Sequence, residues 1–376
     1  MPKNINTKPF DETTRLKLDI FGECFREWFP VFLHSPWYKK VYIFDFFAGS
    51  GTDSLGTFGS PLVLLNEAKG DDRHFCANAK KDVAFVFNES MKTKSKELMS
   101  NVNAHISKCE LDNNCGGCVY KRHILQYNFK DLFQENPILH ILKNKDYGKF
   151  ILLDQYGFKQ IDNAIFKKLV FSPKTDFIFF ISSSFIKRFQ EHPSVKTYID
   201  TKKLNFDESQ PMECHRIIAN YFRNAVPTNK DYYIHHFSIQ KEKGKGNYYG
   251  LIFGTNHTLG MEKFLKVCWS KDKNSGEANF NIENDFEQGS LFYDPTTSNK
   301  KLKVKELLTN NVLEGKIIDN VSGLKYTLKQ GCEPMLFIEV VKELERTNKI
   351  ERIGELNYCA ANIHRIKKIF RIKVIA

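Results

Sequence analysis

The chain carries two rhythms of apolar positions, one at helical spacing and one in short continuous runs. Between residues 12 and 38, Leu16, Leu18, Ile20, Phe21, Phe25, Trp28 and Phe29 recur about once per helical turn, and Ser35-Pro36 stops the run. This predicts a helix packed on a sheet. An apolar run of strand length, 41–45, follows and breaks into small residues. Ser60-Pro61 opens a second helix, with serine as N-cap and proline at the first helical position, and Gly70 closes it. Further strand-like runs lie at 83–88, 123–128, 150–154 and 175–181, with a polar helix over 92–106 between the first two. Ser182-Ser183-Ser184 leads into the basic helix FIKRF, and another helix spans 214–225. Two strands at 232–240 and 248–255 flank KEKGKGN, which reads as a hairpin with a basic tip, and the helix GMEKFLKVCW follows. Strands alternating with helices in this way predict an α/β fold, a parallel sheet with helices on both faces.

Beyond residue 270 the pattern changes. Residues 270–300 are polar and rich in Gly and Asn, a plausible linker. The expected division is 1–272, a linker at 273–300, and a C-terminal domain at 301–376. In that domain the pattern gives a short helix at 304–310, an apolar segment, a helix from Pro334, and a terminal β element at KIERIG. This arrangement reads as a winged-helix module or as a helical dimerisation cap.

Composition narrows the class. The chain has 376 residues, 41% hydrophobic and 27% charged, as expected of a globular protein and not of a disordered one. No apolar run reaches the ~18 residues of a membrane span. The first twenty residues lack the apolar core of a secretory signal, so no membrane association and a cytoplasmic location are expected. Nine cysteines, an odd number, read as reduced thiols. The net charge of +12 points to a polyanionic partner such as RNA or DNA, or simply to solubility. From Lys301 to Ala376, 15 Lys/Arg face 9 Asp/Glu, half of that excess.

Candidate chemistry gathers at strand ends. In VYIFDFFAGSG, residues 41–51, a buried strand passes through Asp45 and Phe47 into Ala48-Gly49-Ser50-Gly51. Glycines there let backbone approach a ligand where a Cβ would collide; the alternative is an ordinary turn after a core strand. Glu89 follows the second strand, where a carboxylate can accept from both hydroxyls of a ribose, although it lies further from Asp45 than the ~20 residues of a compact dinucleotide unit. Cys109, Cys115 and Cys118, with His123 beyond, could make a Cys3His zinc site. One knuckle in place of two, and a histidine expected in the next strand, favour free thiols, so no metal is assigned. His257, after a core strand, reads as a structural hydrogen-bonding residue before it reads as a base.

The strand-D-x-F-A-G-x-G form resembles the first motif of class I S-adenosylmethionine methyltransferases more than it resembles G-x-G-x-x-G. With FDFFAGSG, GSPL, LDQYGF and LIFGTNHTLGMEKFLKVCW, the chain over about residues 12–345 resembles the bacterial and phage family of three-Cys-motif partner proteins, TcmP. The resemblance implies a Rossmann-like class I methyltransferase fold with S-adenosylmethionine as cofactor. It also implies association with a separate three-cysteine protein of radical-SAM type. The cofactor would then meet Asp45, Phe47, Ala48, Gly49, Gly51 and Glu89, with Asp131 at the adenine. Asp154-Gln155-Tyr156-Gly157 is similar to the Asp/Asn-Pro-Pro-Tyr/Phe turn of amino-methyltransferases and to the Asp-Pro-Phe/Tyr-Gly motif of tRNA guanine dimethyltransferases. Asp154 would bind an exocyclic amine, Tyr156 would stack on its base, and Gly157 would complete the turn. Gln155 stands where those motifs have a rigidifying proline. The implied activity is methyl transfer to a nucleic-acid amine, alone or with a partner. The alternative is a protein of the same fold that no longer methylates and serves as a nucleic-acid-binding or scaffolding partner.

Overall fold

Aromatic side chains hold the first helix to the sheet. The computed structural model describes residues 8–71, 74–134, 136–155, 157–206, 211–242, 245–283, 298–357, 363 and 368–375. Helix α1 (Glu12–His34) starts at Asp11, whose side chain accepts from the Thr14 N–H, and stops before Pro36. Its Phe25 and Trp28 rings meet Phe150 at centroid separations of 5.5 and 5.1 Å, which sets the helix against the middle of the sheet.

The chain then alternates β1 (Lys40–Asp45), α2 (Ser60–Lys69), α3 (His74–Ala77), β2 (Asp82–Asn88), α4 (Lys92–Asp112), β3 (Lys121–Leu125), α5 (Phe129–Leu132), α6 (Asn136–Lys143), β4 (Tyr147–Leu153), α7 (Asn163–Phe171), β5 (Thr175–Ile181), α8 (Ser183–Arg188), α9 (Pro193–Lys196), α10 (Cys214–Asn224), β6 (Tyr233–Glu242) and β7 (Lys245–Thr255). The seven strands form one sheet in the order β3-β2-β1-β4-β5-β7-β6. β1 through β5 pair in parallel, and β7 runs antiparallel to β5. This is the Rossmann-like α/β sheet expected from the alternation. Central strands buried on both faces read as unbroken apolar runs, and β5 occupies the expected residues.

Three local expectations are corrected. Ser60 is already helical and Gly59 takes the N-cap position. The third strand ends at Leu125, because both backbone polar groups of Tyr127 bond the Asn88 side chain (3.0 and 3.1 Å) and leave no ladder to extend. Helix α4 continues past residue 106 to Asp112. It ends in a Schellman turn with Asn114 at φ +47°, the Asn114 N–H on Leu111 O and the Cys115 N–H on Glu110 O.

Close packing between the sheet and α10 gives a first test. Gly250 on β7 lies under the His215 ring, so an added Cβ would run into the imidazole. Nδ1 of that ring shares a hydrogen bond with Ser183 Oγ (2.7 Å), and Nε2 meets Leu251 O (3.1 Å). Gly250→Ala is expected to lower unfolding free energy by about 1–3 kcal/mol through overpacking, read from denaturant midpoints. An unchanged midpoint would refute this packing.

Two compact units result: residues 1–232 with 239–256, and residues 233–238 with 257–376. The second contains α11 (Thr258–Lys271), α12 (Asn299–Leu313), α13 (Asn320–Lys329), α14 (Met335–Arg346), and the antiparallel pair β8 (Ile350–Ile353) and β9 (Arg371–Val374). Within it the Trp269 indole donates to Gly331 O (3.0 Å), and the buried Lys300 ammonium meets Glu277 Oε1 (2.6 Å) and Ser275 O (2.8 Å). His257 caps α11 by accepting the Leu259 N–H (3.1 Å), the structural role expected of it. The apolar segment before Pro334 is the helix α13, opened by a capping box between Asp319 and Ser322. Among the described residues no helix is long and apolar enough to cross a membrane.

Candidate functional site

The strand order reverses at β1. From it the chain builds β2 and β3 on one side and β4 and β5 on the other, and ligands of open α/β sheets bind outside the strand carboxyl ends at such a point. Asp45, the last residue of β1, is in register with Phe87 on β2 and Leu152 on β4. The loop after it is fastened on several sides. Phe46 N–H donates to Leu152 O (3.2 Å), Ala48 N–H to Asn88 O (3.0 Å) and Gly59 N–H to Gly51 O (2.8 Å). Asn101 on α4 donates to Ser50 O (2.8 Å). Gly49 and Gly51 adopt φ +61° and +85°, the left-handed region that disfavours side chains, and a Cβ on Gly51 would press on Leu98.

Asp45 lies beneath this loop, fully buried. Its Oδ1 accepts from the Phe47 N–H (3.1 Å), while its buried Oδ2 has no hydrogen-bond partner. Burial pushes the carboxyl up to about 7. The nearby Ser60 hydroxyl and the Phe47 N–H oppose that rise, and the Asp154 charge adds to it. The Ser60 hydroxyl is near enough to favour the ionised form, yet the geometry of a hydrogen bond to Oδ2 is not met.

Glu89 stands beside the loop at the tip of β2, half-buried. Its N–H donates to Leu125 O (3.1 Å) and its Oε1 accepts from the Met91 N–H (2.7 Å). Among the described residues its Oε2 has no partner. Phe47 packs on Phe129 of α5 at 4.9 Å, which brings α5, and the exposed Asp131 on it, to the same edge of the loop.

On the β4 side, both carboxylate oxygens of Asp154 meet the Lys17 ammonium of α1, at 2.8 and 2.6 Å. Lys17 also lies over the Phe180 ring at 4.8 Å. Gln155 is buried, donating to Phe180 O (3.1 Å) and accepting from the Gln160 N–H (2.9 Å), so hydrogen bonds hold a turn that proline would hold sterically. Gly157 takes φ +87° with open space where a side chain would stand. Tyr156 lies outside the described residues.

Sequence patterns passed over three contributors. Asn88 links the ends of three strands, with Nδ2 on Phe46 O (3.2 Å) and Tyr127 O (3.1 Å). Lys17 arrives from a helix distant in sequence. Asp53 accepts from the N–H groups of Phe10 (2.9 Å), Leu55 (2.9 Å) and Thr57 (2.8 Å). Burial alone would raise that carboxyl, but those donors hold it below the ordinary value. Only a buried asparagine closing an apolar strand could have been noticed beforehand.

No family profile matches this sequence, and no curated protein does. Solved structures similar in fold include three methyltransferases. The first is a candidate class I S-adenosylmethionine-dependent methyltransferase from Listeria monocytogenes (8% identity, TM-score 0.33, 65% of this chain). The alignment spans only 62% of that Listeria protein. The second is the O-methyltransferase TomG from Streptomyces achromogenes, involved in tomaymycin synthesis and solved with S-adenosylmethionine (9%, 0.31, 66% of this chain and 91% of that one). The third is a candidate O-methyltransferase from Klebsiella pneumoniae (9%, 0.31, 65% and 90%). Superpositions this loose carry no argument about chemistry.

Proposed function

We propose that this chain is an S-adenosylmethionine-dependent methyltransferase whose cofactor lies across the carboxyl ends of β1 and β2. The observation that carries this reading is the hydrogen bond from the Ala48 N–H to Asn88 O (3.0 Å), which sets the glycine turn and Glu89 side by side. Backbone N–H groups of residues 49–51 would hold the cofactor's carboxylate, and the unpartnered Glu89 Oε2 would accept from its ribose. Phe47 and Asp131 would border the adenine, and Asp45 would keep the loop in shape from below. Bound there, the cofactor supplies an electrophilic methyl group.

The substrate we propose is an amine on a nucleic-acid base. Asp154 would accept from its N–H and leave the nitrogen lone pair facing the methyl, and Tyr156 would stack on the ring. A base within a duplex would have to be flipped out. The +12 charge supports a polyanionic substrate. Helices α12, α13 and α14 and the β8–β9 pair of the second unit fit a winged-helix contact with it. The motif resemblance to TcmP supports a three-cysteine radical-SAM protein as partner.

One observation favours a second reading. The Lys17 ammonium already occupies both Asp154 oxygens, as in a protein that keeps the fold and scaffolds another enzyme without methylating.

Calorimetric titration with S-adenosylmethionine tests the cofactor site. Micromolar or tighter binding is expected, weakened roughly 10- to 100-fold in Glu89→Gln, the worth of one charged acceptor. Glutamine keeps an oxygen for the Met91 N–H, so the thermal midpoint is expected to stay put. Absence of binding, or equal affinity in the variant, would refute the assignment.

A further inference from the structure

The described cysteines fall into two groups. Cys24, Cys214, Cys268 and Cys332 are buried, whereas Cys76, Cys109, Cys115 and Cys118 are all half-exposed. Those four line one cavity of about 570 Å³ that contains none of the residues assigned above to the cofactor. Cys109 sits in the last turns of α4, Cys76 on α3, and Cys115 and Cys118 on the turn between α4 and β3. The fold brings them together deliberately. The Schellman turn closing α4 folds Cys115 back toward the helix, and Glu110 Oε1 accepts the Cys118 N–H (2.8 Å), tying the far end of the turn to the same helix. The fourth ligand that the sequence offered, His123, does not line the cavity; Cys76 does.

We propose that Cys76, Cys109, Cys115 and Cys118 bind a metal centre through four thiolates, an iron–sulfur cluster in preference to a single ion. Four cysteine sulfurs are the donor set of zinc and of iron–sulfur clusters; of the carboxylates on the same wall, Glu110 and Asp112, the first already accepts the Cys118 N–H. The geometry separates those two. Among the described residues no three His, Cys, Asp or Glu side chains converge on a point as a lone ion requires. A cluster is a cage of several atoms whose ligands stand around a space, and the four cysteines line one cavity of about 570 Å³. Lys69 and Lys108 line the same wall, balanced in charge by Glu110 and Asp112. Leu65, Ile106 and Tyr120 supply the apolar surroundings that limit water access. Gly116 and Gly117 have open space around them, so the turn can draw its two sulfurs inward. Assembly takes up iron already at the cluster's oxidation level, two ferric ions for a two-iron centre or two ferric and two ferrous for a four-iron centre, with one sulfide per iron, and releases the four thiol protons without a further oxidant.

The full chain, purified without oxygen after growth with added iron, or reconstituted with a mixture of ferric and ferrous iron and sulfide, gives the test. About two or four iron atoms per chain with matching sulfide are expected, together with broad visible absorption. Iron content is expected to fall at least about tenfold in Cys76→Ser and Cys118→Ser and to be unchanged in His123→Ala. Zinc at one per chain without iron would overturn the cluster, and iron retained in Cys76→Ser or lost in His123→Ala would overturn the ligand set. Should the serine variants fail to fold, thiol titration of the native wild-type chain still decides. Four thiols shielded until a chelator removes the metal support the site, and four that react at once in the reconstituted chain exclude it.

Discussion

Asp154→Ala is expected to abolish methyl transfer to total RNA or DNA, by at least about a hundredfold, while S-adenosylmethionine still binds. Losing the group that orients the reacting nitrogen costs a factor of that order even when everything else is retained. The measurement is transfer of labelled methyl, paired with calorimetry on the same variant. Lys17→Met sharpens the test. Lys17 holds both oxygens of Asp154 at 2.8 and 2.6 Å, so an incoming amine must displace its ammonium, and removing it is expected to lower the apparent KM for the nucleic acid. If wild type binds the cofactor tightly and transfers nothing to either polymer, the scaffolding reading stands and the methyl-transfer reading falls.

Where the sheet is buried on both faces, its sequence announced it. Residues 175–181 are nearly all apolar because β5 has neighbours above, below and on both edges, so no other element would suit them. Elements whose limits depend on a partner elsewhere were not legible. Nothing near Leu125 tells that β3 must stop, because the group that takes over the Tyr127 backbone is the side chain of Asn88 on the next strand. Helix α13 went unseen for a related reason. Its capping box uses Ser322 where glutamate or glutamine is the usual signal, and a short helix packed among others shows little periodicity.

The site divides along the same line. The glycine turn and the acidic residue after β2 could be picked out because backbone approach and ribose recognition each demand a residue type at a strand end. That they are joined by an Ala48–Asn88 hydrogen bond required the fold. Gln155 looked like a loss of rigidity at a position where proline is usual. Its two long-range hydrogen bonds restore the constraint by other means. Cys76, far from the C-x5-C-x2-C run and without a motif of its own, gained meaning only when α3 put it on the same cavity wall.

Trp28→Ala is expected to lower stability by about 3–5 kcal/mol, the range for emptying a large buried aromatic site. The ring stacks on Phe32 at 3.9 Å and meets Phe150 at 5.1 Å, and its indole N–H donates to the buried Asp176 carboxylate at 3.0 Å. Trp28→Phe separates the two contributions. Burial raises the Asp176 carboxyl to about 7, against the opposing hydrogen bonds from Thr255 and Trp28. The folded chain therefore keeps a proton that the unfolded chain gives up near pH 4, and stability declines as pH rises from about 4 through about 7. Removing the indole N–H strips support from the ionised form alone. The extra loss in Trp28→Phe is thus expected to be about 1–3 kcal/mol at pH 8 and markedly smaller at pH 5. Asp176→Asn, which cannot ionise, is expected to make the decline shallower over that interval, leaving the part due to the buried Asp45. Denaturant titrations at the two pH values decide it. A Trp28→Phe loss independent of pH would show that the indole contributes by packing and that its hydrogen bond to Asp176 carries no weight.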